Sequence, residues 1–481
     1  MLWLALRFPS LPLEIFTRGG ALTGPLAAAA SSTAHAEIVA CNPRAHRLGI
    51  HEGIAVAAAQ ALSADLWVFA RDSAAEYSAL ERMASWALQF TPTVSIAPPA
   101  EVLLEVEGSL RLFGGFNRLW TEVTQKLSEM RYTVVIAAAP TPLAAQWFAR
   151  SGLSPRIRHD DALRLSLKRL PVSVMGLPPS VEEILRNIGV KTLAECLQLP
   201  RDGLARRAGK ELFEQLDRAL GRIVDPRPAF IPPENFKSVL SLPAPVEQAD
   251  ALLFATHHLI IELCGWLAAT GKGVQRLGFA LSHEGHDETR FTLDLSLASR
   301  DPAHLTHVLR ERLGRLVLPC PTHALAMESE KVLPLASRNS SFLPDSQEQM
   351  ETTVQLIERL RARLGEKAVQ GFDAIADHRP ERAWGVCEPG KESTVSAGLS
   401  VSARPLWLLP SPRPLMEIAD IPQYEGPLTL LTTPERIESG WWDGHDVVRE
   451  YYIARNPVQS LLWIYRQSRE SSGWYLHGFF S

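Results

Sequence analysis

Residues 236–335 follow a pattern that fits only a small two-layer domain. The segment reads as strand, long helix, strand, strand, helix, strand, in the pieces "FKSVLSLPA", "ALLFATHHLIIELCGWLAA", "VQRLGFALS", "TRFTLDLSLA", "HLTHVLRERLGRL" and "ALAMESEKV". The polar stretch "SHEGHDET", which contains Gly285, predicts a hairpin loop between the two middle strands. This order predicts a β-α-β-β-α-β domain.

The first 150 residues also mix strands with helices. Strand-like runs are "LWLAL", "EIVAC", "EVLLEVEG" and "YTVVIAAA", and helical spacing is clear in "SAAEYSALERMASWALQF". From about residue 166 the chain changes to short helices that glycine and proline punctuate. We therefore predict an α+β chain.

Length, charge and cysteines restrict the possible classes. A chain of 481 residues is too long for one core and predicts roughly three to five compact units. The net charge of −4 means that any nucleic-acid contact must come from a local patch. The five scattered cysteines argue against a zinc site and a disulfide framework, and they fit a cytoplasmic protein.

We expect neither an export signal nor a membrane span. The stretch "LAAAASSTAHAE" imitates a signal-peptide cleavage site, but the apolar run before it is short and Arg7 interrupts it. No later run approaches the ~18 apolar residues of a membrane span.

The C-terminal part of the chain has a different composition. Residues 385–403 are small, polar and rich in helix breakers, which indicates a linker. Residues 401–481 hold five of the twelve tryptophans and five of the seven tyrosines, in short strand-like runs. Because Trp and Tyr are favoured at partner surfaces, we favour a β-rich interaction module over an inert cap.

Several stretches together resemble the Y-family translesion DNA polymerases. "VACNPRAHRLGIHEGIAVAAAQAL" resembles the fingers, "AEVLLEVEGSLRLFGG" and "VVIAAAPTPLAAQWFAR" resemble palm segments, and "LPVSVMGLPPSVEEILRNIGVKTLAECLQLP" resembles the helix-hairpin-helix thumb. The resemblance covers roughly residues 1–335, with residues 236–335 as the little finger. "DHRPERAW", "RPLWLLPSPRPL" and "ERIESGWWDG" resemble the branch of this family found in bacterial mutagenesis cassettes.

The resemblance implies a multidomain fold with a ferredoxin-like palm, small fingers, thumb, little finger and a β-rich C-terminal module. The implied bounds are palm 1–40 and 91–165, fingers 41–90, thumb 166–232, little finger 233–335, helix and linker 336–403, and partner-binding module 404–481.

The expected metal site has lost most of its ligands. Phosphoryl transfer by such a polymerase needs two divalent ions held by carboxylates at the ends of palm strands. The resemblance places the four carboxylate positions at Ala5, Arg7, Ala100 and Glu101, so only Glu101 could bind a cation, and Arg7 would repel one. Glu105 lies on the same strand face as Glu101, and we expect Glu105 and Glu107 to face solvent. We predict no metal and no cofactor.

The nucleotide pocket is similarly altered. The resemblance places the finger tyrosine and arginine that hold the triphosphate at Pro43 and His46, and the palm lysine at Gln146. Proline has no N–H to donate, and neutral histidine or glutamine is a poor replacement for a cation. We therefore predict that the chain is not an enzyme.

The thumb leaves two interpretations open. Its hairpin reads Met175-Gly176-Leu177-Pro178-Pro179, and Pro178 removes one of the backbone donors that would bind phosphate. The thumb could be a packing unit only, or it could contact primer-template DNA. If it contacts DNA, we expect the phosphate contacts to be Lys191, Arg206, Arg207 and Lys210.

A short peptide near the linker resembles a sliding-clamp ligand. Such ligands are extended peptides whose leucine and aromatic side chain fill apolar pockets. Residues 403–407, with Arg404, Pro405, Leu406 and Trp407, match the Leu-aromatic end but lack the glutamine. "QSLLW" (residues 459–463) matches the letters better, but it lies in a predicted strand whose side chains we expect in the core. We favour 403–407, because a clamp ligand must be free to extend.

We therefore predict a non-catalytic, polymerase-shaped adaptor. By resemblance, it would work in damage-induced, error-prone translesion synthesis in the SOS response. By resemblance, its partners would be the sliding clamp, a RecA-like (ImuA-type) protein and the alpha subunit of an error-prone, replicative-type polymerase. Two alternatives stay open: an active Y-family translesion polymerase with an atypical metal site, and a DNA-structure binder without clamp contact.

Overall fold

A computed structural model describes residues 1–20, 22, 24–201, 209–335, 354, 356–361, 363–389, 404–467 and 473–480. The chain separates into two compact units, Met1–Arg363 and Leu364–Ser481. Each unit has its own core and is described by itself.

The first unit contains helices and strands in alternation. Its helices are α1 Leu11–Thr17, α2 Pro43–Arg47, α3 Val56–Leu62, α4 Ser73–Ala87, α5 Phe116–Glu129, α6 Pro142–Arg150, α7 Asp160–Leu167, α8 Pro179–Asn187, α9 Leu193–Gln198, α10 Glu211–Ala219, α11 Leu252–Thr270 and α12 Pro302–Leu313. Its strands are β1 Trp3–Arg7, β2 Leu26–Ala29, β3 Ile38–Cys41, β4 Trp67–Ala70, β5 Val94–Ala97, β6 Glu101–Glu105, β7 Val135–Ala139, β8 Lys237–Val246, β9 Lys272–His283, β10 His286–Ser299 and β11 Thr322–Pro334.

A four-stranded antiparallel sheet with the order β5-β6-β1-β7 forms the centre of the N-terminal part. Because side chains alternate along a strand, Leu4 and Leu6 pack with α4 and α5, whereas Trp3 and Ala5 pack with α6. Arg7 continues the α6 side of β1. Both faces of the sheet are therefore covered, and the candidate site lies at the end of β1 on the α6 face.

A second, three-stranded sheet with the order β3-β2-β4 occupies residues 26–70. β2 pairs in parallel with β4 and antiparallel with β3. The alanines of β2 are fully buried. The apolar half of the stretch that imitates a signal-peptide cleavage site is thus a core strand.

Residues 237–334 confirm the predicted β-α-β-β-α-β order. The sheet order is β10-β9-β11-β8, and every neighbouring pair is antiparallel. The predicted hairpin loop is shorter than expected: β9 ends at His283, β10 begins at His286, and Gly285 between them has φ +70°. Together with the β5-β6-β1-β7 sheet and the C-terminal strands, this order confirms the predicted α+β class.

The prediction that no run approaches the apolar length of a membrane span was wrong for this segment. Among the described residues, the helical stretch Ala249–Thr270 is long and apolar enough to cross a membrane by length and composition. Leu263 and Trp266 are fully buried in the core beneath the β8–β11 sheet. Core helices pass the same test, and 72% of this window is buried within the protein.

Helix α11 also packs tightly against α4. A Cβ atom added at Gly265 would lie 2.3 Å from Cδ1 of Trp86, so only glycine permits this approach. Beside it, the fully buried Glu262 accepts hydrogen bonds from Arg18 at 2.8 Å and Arg82 at 3.1 Å. A desolvated ion-pair triad therefore joins the β8–β11 domain to the N-terminal part.

The second unit is β-rich, as predicted. Its strands are β12 Gly371–Ala374, β13 Trp384–Cys387, β14 Trp407–Pro414, β15 Met416–Ile418, β16 Ile421–Gln423, β17 Thr429–Leu430, β18 Glu435–Ser439, β19 Val447–Arg455, β20 Leu461–Gln467 and β21 Trp474–Phe479. The main sheet has the order β14-β21-β20-β19-β17, with β18 also paired to β19.

The predicted linker begins too early. Residues 385–387 lie in β13, which pairs with β12 as a hairpin. The sequence signal failed because Gly385 and the proline and serines that follow it look like a break, although two strand residues flank this glycine. Residues 390–403 lie outside the described residues.

Candidate functional site

The candidate site lies where β1 ends beside the start of β6. Arg7 and Glu101 are direct partners in the antiparallel pair, so their side chains leave the same face of the sheet. Ala5 is fully buried in the core on this face. The carbonyl of Ala100 accepts a hydrogen bond from the N–H of Phe8 at 2.8 Å. Three of the four positions that would hold carboxylates are thus core, backbone or a cation.

Glu101 is buried and fully engaged inside the protein. Its side chain is 3% exposed. Arg150 donates from Nε to Oε1 at 2.8 Å and from Nη2 to Oε2 at 2.9 Å, which is a bidentate ion pair. Gln146 donates from Nε2 to Oε2 at 2.7 Å. The charge of the carboxylate is therefore neutralised by a guanidinium of the same chain.

Two further hydrogen bonds fix Arg150 in place. Nη1 of Arg7 donates to the carbonyl of Arg150 at 2.7 Å, and Nη1 of Arg150 donates to the carbonyl of Val174 at 3.3 Å. Val174 belongs to a short 3-10 helix, Val172–Met175, that precedes α8. The site therefore links the β5-β6-β1-β7 sheet, helix α6 and the 3-10 helix that precedes α8.

The neighbouring carboxylates are separate from this cluster. Glu105 is half-buried rather than solvent-facing, and its Oε1 accepts hydrogen bonds from the N–H groups of Leu2 and Glu107, both at 3.3 Å. Glu107 is exposed, as predicted. Across the described ranges, no group of three or more His, Cys, Asp or Glu side chains could hold a metal ion. A divalent ion at Glu101 would have to displace the guanidinium of Arg150.

Pro43 and His46 lie in α2, away from the hydrogen-bond network of Glu101. Pro43 is the first residue of this helix, where a missing N–H costs nothing, and Asn42 caps the helix by accepting from the N–H of Ala45. His46 is exposed. In the described structure, no hydrogen bond or ion pair connects either residue to Glu101. Of the three predicted nucleotide-site positions, only Gln146 reaches the site.

Arg150 is the residue that sequence reasoning missed. It lies four residues after Gln146 on α6, so one helix face presents both side chains. This four-residue spacing was the sequence signal that could have predicted the contact, because it puts two polar side chains on the helix face that meets the single carboxylate. Glu101, the one carboxylate among the four predicted positions, is therefore paired within the chain.

The thumb segment matches its hairpin prediction in part. Gly176 has φ +62° and ends the 3-10 helix, and α8 begins at Pro179. Lys191 and Lys210 are exposed. Arg206 and Arg207 lie outside the described residues.

The predicted clamp peptide is only partly free. Arg404 forms an ion pair with Glu435 at 2.9 Å, Pro405 is buried, and Trp407 begins β14, where it pairs with Phe479. The expectation of an unpaired peptide is therefore wrong at this end. Leu406 and Trp407 nevertheless expose 89% and 70% of their surface.

Two side chains of the alternative clamp peptide lie in the core, as predicted, whereas Gln459 is exposed and precedes β20. Leu462 and Trp463 in β20 expose 0% and 2% of their surface. Trp463 stacks on Tyr451, with ring centroids 4.0 Å apart.

A pair of tryptophans on a turn of the second unit is also exposed. Trp441 and Trp442 expose 80% and 59% of their surface and meet edge to face at 5.4 Å. The buried guanidinium of Arg379 fixes this turn by donating to Asp443 at 2.8 and 3.1 Å and to the carbonyl of His445 at 3.1 Å. These hydrogen bonds hold the turn that presents both rings.

Comparison with known proteins gives matches over most of the chain. The model of the impB/mucB/samB family matches residues 17–150. ImuB from Caulobacter vibrioides is 27% identical over 461 residues, which covers 90% of this chain and 100% of that protein. DNA polymerase IV from Legionella pneumophila is 23% identical over 310 residues, which covers 61% of this chain and 84% of that protein.

Solved structures overlap more weakly. An insertion ternary complex of Dbh DNA polymerase is 17% identical, with a TM-score of 0.40, and covers 68% of this chain and 98% of its own. DinB from Sulfolobus solfataricus is 16% identical, with a TM-score of 0.38, and covers 70% and 100%. Overlaps of this size carry no argument about function. Over most of its length the chain is thus similar to ImuB from Caulobacter vibrioides, and its residues 17–150 match the impB/mucB/samB family model.

Proposed function

We propose that the chain is a non-catalytic, polymerase-shaped adaptor that works in the cytoplasm during damage-induced, error-prone translesion DNA synthesis. The observation that carries this proposal is the bidentate ion pair between Arg150 and Glu101. It uses the one carboxylate that remains at the position where a polymerase would bind metal.

The physical argument concerns competition for one carboxylate. The guanidinium is tethered to α6 and is held further by the carbonyl of Val174. A divalent ion would have to displace it with one carboxylate, whereas phosphoryl transfer by a polymerase needs two metal ions to be bound. The displaced guanidinium and Arg7 would then repel the ion. These costs favour an adaptor over a synthesising enzyme.

The alternative function is an active translesion polymerase, which the similarity to a DNA polymerase IV favours. This alternative requires Glu101 to bind a metal ion in the presence of DNA and nucleotide. It predicts magnesium-dependent primer extension that Glu101→Ala abolishes.

The open face of the β8–β11 sheet argues against a strong DNA grip at that place. Arg276 pairs with Asp294, Arg290 with Glu288 at 2.8 Å, and Lys237 with Glu328 at 3.5 Å. Cations that already face carboxylates release fewer counterions when a phosphate approaches, so they add little affinity. DNA contact by the thumb would fall to Lys191, Lys210 and the arginines at 206 and 207.

For the sliding clamp, we propose the peptide Arg404–Trp407 as the ligand. Arg404 and Pro405 anchor it, while Leu406 and Trp407 present the two side chains that a clamp pocket would bury. Exposed large apolar side chains next to each other are typical of interaction sites. The anchored start would limit the entropy lost on binding.

For the RecA-like (ImuA-type) protein and the error-prone polymerase subunit, we propose the second unit as the docking module. Trp441 and Trp442 are suited to this role because tryptophans dominate binding energy at interfaces. The turn is held by Arg379, so little ordering is needed on binding.

Primer extension by the purified chain, with magnesium or manganese and no other polymerase, tests the non-catalytic part. Pulldown of the sliding clamp tests the proposed clamp peptide, with Leu406→Ala/Trp407→Ala as the variant. Trp441→Ala/Trp442→Ala is a matched control, because it also removes two exposed large side chains from the same unit. We expect no extension, loss of clamp capture in the first variant, and retention in the control. Extension that depends on Glu101 would refute the proposal.

A further inference from the structure

Residues 155–158 run as an extended segment beside β7. The N–H of Ala138 donates to the carbonyl of Pro155 at 2.9 Å, and the N–H of Ile157 donates to the carbonyl of Ala138 at 3.0 Å. Alternate residues of an extended segment point to opposite faces. Ile157 is buried in the α6 core, so Arg156 and Arg158 point to the other face, where α5 packs.

Both arginines lie over aromatic rings of α5. The guanidinium carbon of Arg156 is 4.5 Å from the ring centre of Trp120, and that of Arg158 is 5.6 Å from the ring centre of Phe116. The two rings are one helical turn apart, with centroids at 5.8 Å. We call Phe116, Trp120, Arg156 and Arg158 the arginine–aromatic ridge.

The ridge carries positive charge without a carboxylate partner. Within the part of the chain that the structure describes, neither Arg156 nor Arg158 forms an ion pair, although both are exposed. Residues 108–121 and 151–159 contain four arginines and no Asp or Glu. The acidic residues that border these stretches are Glu107, Glu122, Asp160 and Asp161. Glu122 pairs with Lys126 at 2.9 Å, and the two aspartates lie in the first turn of α7, where a helix favours negative charge. Arg276 and Arg290, two exposed arginines elsewhere in this unit, are by contrast paired with carboxylates.

We propose that the arginine–aromatic ridge is a phosphate-binding site for a nucleic-acid strand. A guanidinium stacked on a ring keeps its donor fork in a fixed plane, so less conformational entropy is lost when it binds phosphate in bidentate fashion. Arginines two residues apart on an extended segment stand about 6.6 Å apart and can contact successive acceptors. The rings are covered by the guanidiniums, so the site reads the backbone and not the bases.

The position of the ridge separates it from the candidate polymerase-like site. Glu101 lies on the α6 face of the palm sheet, whereas the ridge lies on the α5 face. A strand bound here would run over the opposite side of the palm. The choice of nucleic acid over an acidic protein rests on the proposed function, and acidic polypeptide is therefore one arm of the test.

The competing explanation is that the arginine stems only cover apolar rings. To separate the two, the full chain and its variants are titrated with labelled single-stranded and duplex oligonucleotides and with polyglutamate, over a range of salt concentrations. The variant is Arg156→Gln/Arg158→Gln. The matched control, Arg276→Gln/Arg290→Gln, removes the same charge from exposed arginines that are paired.

A second variant guards against misfolding. Arg111→Gln/Arg118→Gln removes the other two arginines of the acid-free stretches, and neither side chain lies over a ring of α5. Arg118 packs against Gly114, so the ridge keeps its packing in this variant. If these arginines extend the same phosphate track, their loss also weakens binding.

We expect oligonucleotide affinity to fall about tenfold in the ridge variant, and the slope of log affinity on log salt to decrease by about 1.4 to 1.8, as two lost phosphate contacts require. The control should change little, and clamp capture should persist in every variant. Equal loss in ridge variant and control, no oligonucleotide binding at all, or preference for polyglutamate would overturn the proposal. Loss of clamp capture alone would contradict the proposed function but not the proposal that the arginine–aromatic ridge binds phosphate.

Discussion

The guanidinium of Arg150 meets the carboxylate of Glu101 in a bidentate pair, with Nε to Oε1 at 2.8 Å and Nη2 to Oε2 at 2.9 Å. Gln146, one turn earlier on α6, donates to the same carboxylate. The helix that would support a triphosphate in a polymerase thus supplies the internal partners of the remaining acidic residue. Function and stability are coupled at this point.

Removing the arginine should destabilise the fold. Arg150→Met leaves a buried carboxylate with one hydrogen bond from Gln146, and we expect the free energy of unfolding to fall by roughly 3 kcal/mol. Urea unfolding measures this loss. Glu101→Gln/Arg150→Met removes both charges and should recover most of it. A single variant as stable as wild type would show that Glu101 does not depend on Arg150.

Glu262 should matter more than any exposed carboxylate of this chain. Glu262→Gln leaves Arg18 and Arg82 without their common partner in a fully buried position, and we expect a loss of about 3 to 5 kcal/mol in unfolding free energy. The control is Glu288→Gln, whose exposed pair with Arg290 should contribute at most about 1 kcal/mol. Similar losses in both variants would contradict a special role for the buried triad.

The elements with strong periodicity could be predicted from the sequence. The order of strands and helices from 237 to 334 and the core position of Leu462 and Trp463 follow from alternation and aromatic content. β2 could not be predicted, because alanine has low strand propensity and its burial comes from packing of the whole sheet.

At the site, too, the sequence indicates which residues are present, whereas their contacts depend on tertiary packing. The sequence shows that Ala5, Arg7 and Ala100 carry no carboxylate, and only the resemblance assigns these positions to a metal site. The partner of Glu101 could not, since the Arg150–Glu101 pair joins residues 49 positions apart and depends on how α6 lies on the sheet. The half-burial of Glu105 likewise depends on contact with Leu2.

Acid should destabilise the first unit through His258. Burial lowers the pKa of His258 to about 4, and the positive charges of Arg18 and Arg131 add to this shift. Because the unfolded chain takes up the proton near pH 6.5, stability present at neutral pH is lost as the pH falls from about 6.5 towards about 4.

Between about pH 7 and about pH 5 the loss from His258 should be about 2 kcal/mol. His258→Gln should remove this part of the pH dependence, as measured by urea unfolding at each pH. Some dependence should remain, because burial also lowers the pKa of His477 to about 4. An unchanged pH profile in the variant would contradict the assignment.

The exposed tryptophan pair should be needed for partner binding and not for folding. Trp441→Ala/Trp442→Ala should leave thermal unfolding unchanged and weaken capture of the RecA-like or polymerase partner by about thirtyfold or more, as hot-spot residues do. Arg379→Ala should weaken the same capture, because it releases the turn from Asp443. If only Arg379→Ala loses partner binding, the partner does not contact the tryptophans.

The pairing of Glu101 with Arg150 also limits how this chain could evolve. Introducing aspartate at positions 5 and 7 would leave Glu101 bound by a guanidinium tied to α6 and to the carbonyl of Val174. Removing Arg150 first would cost stability while Glu101 was still the single carboxylate of the site. A metal site at this place therefore requires several substitutions together, and the first of them is unfavourable whichever is made first.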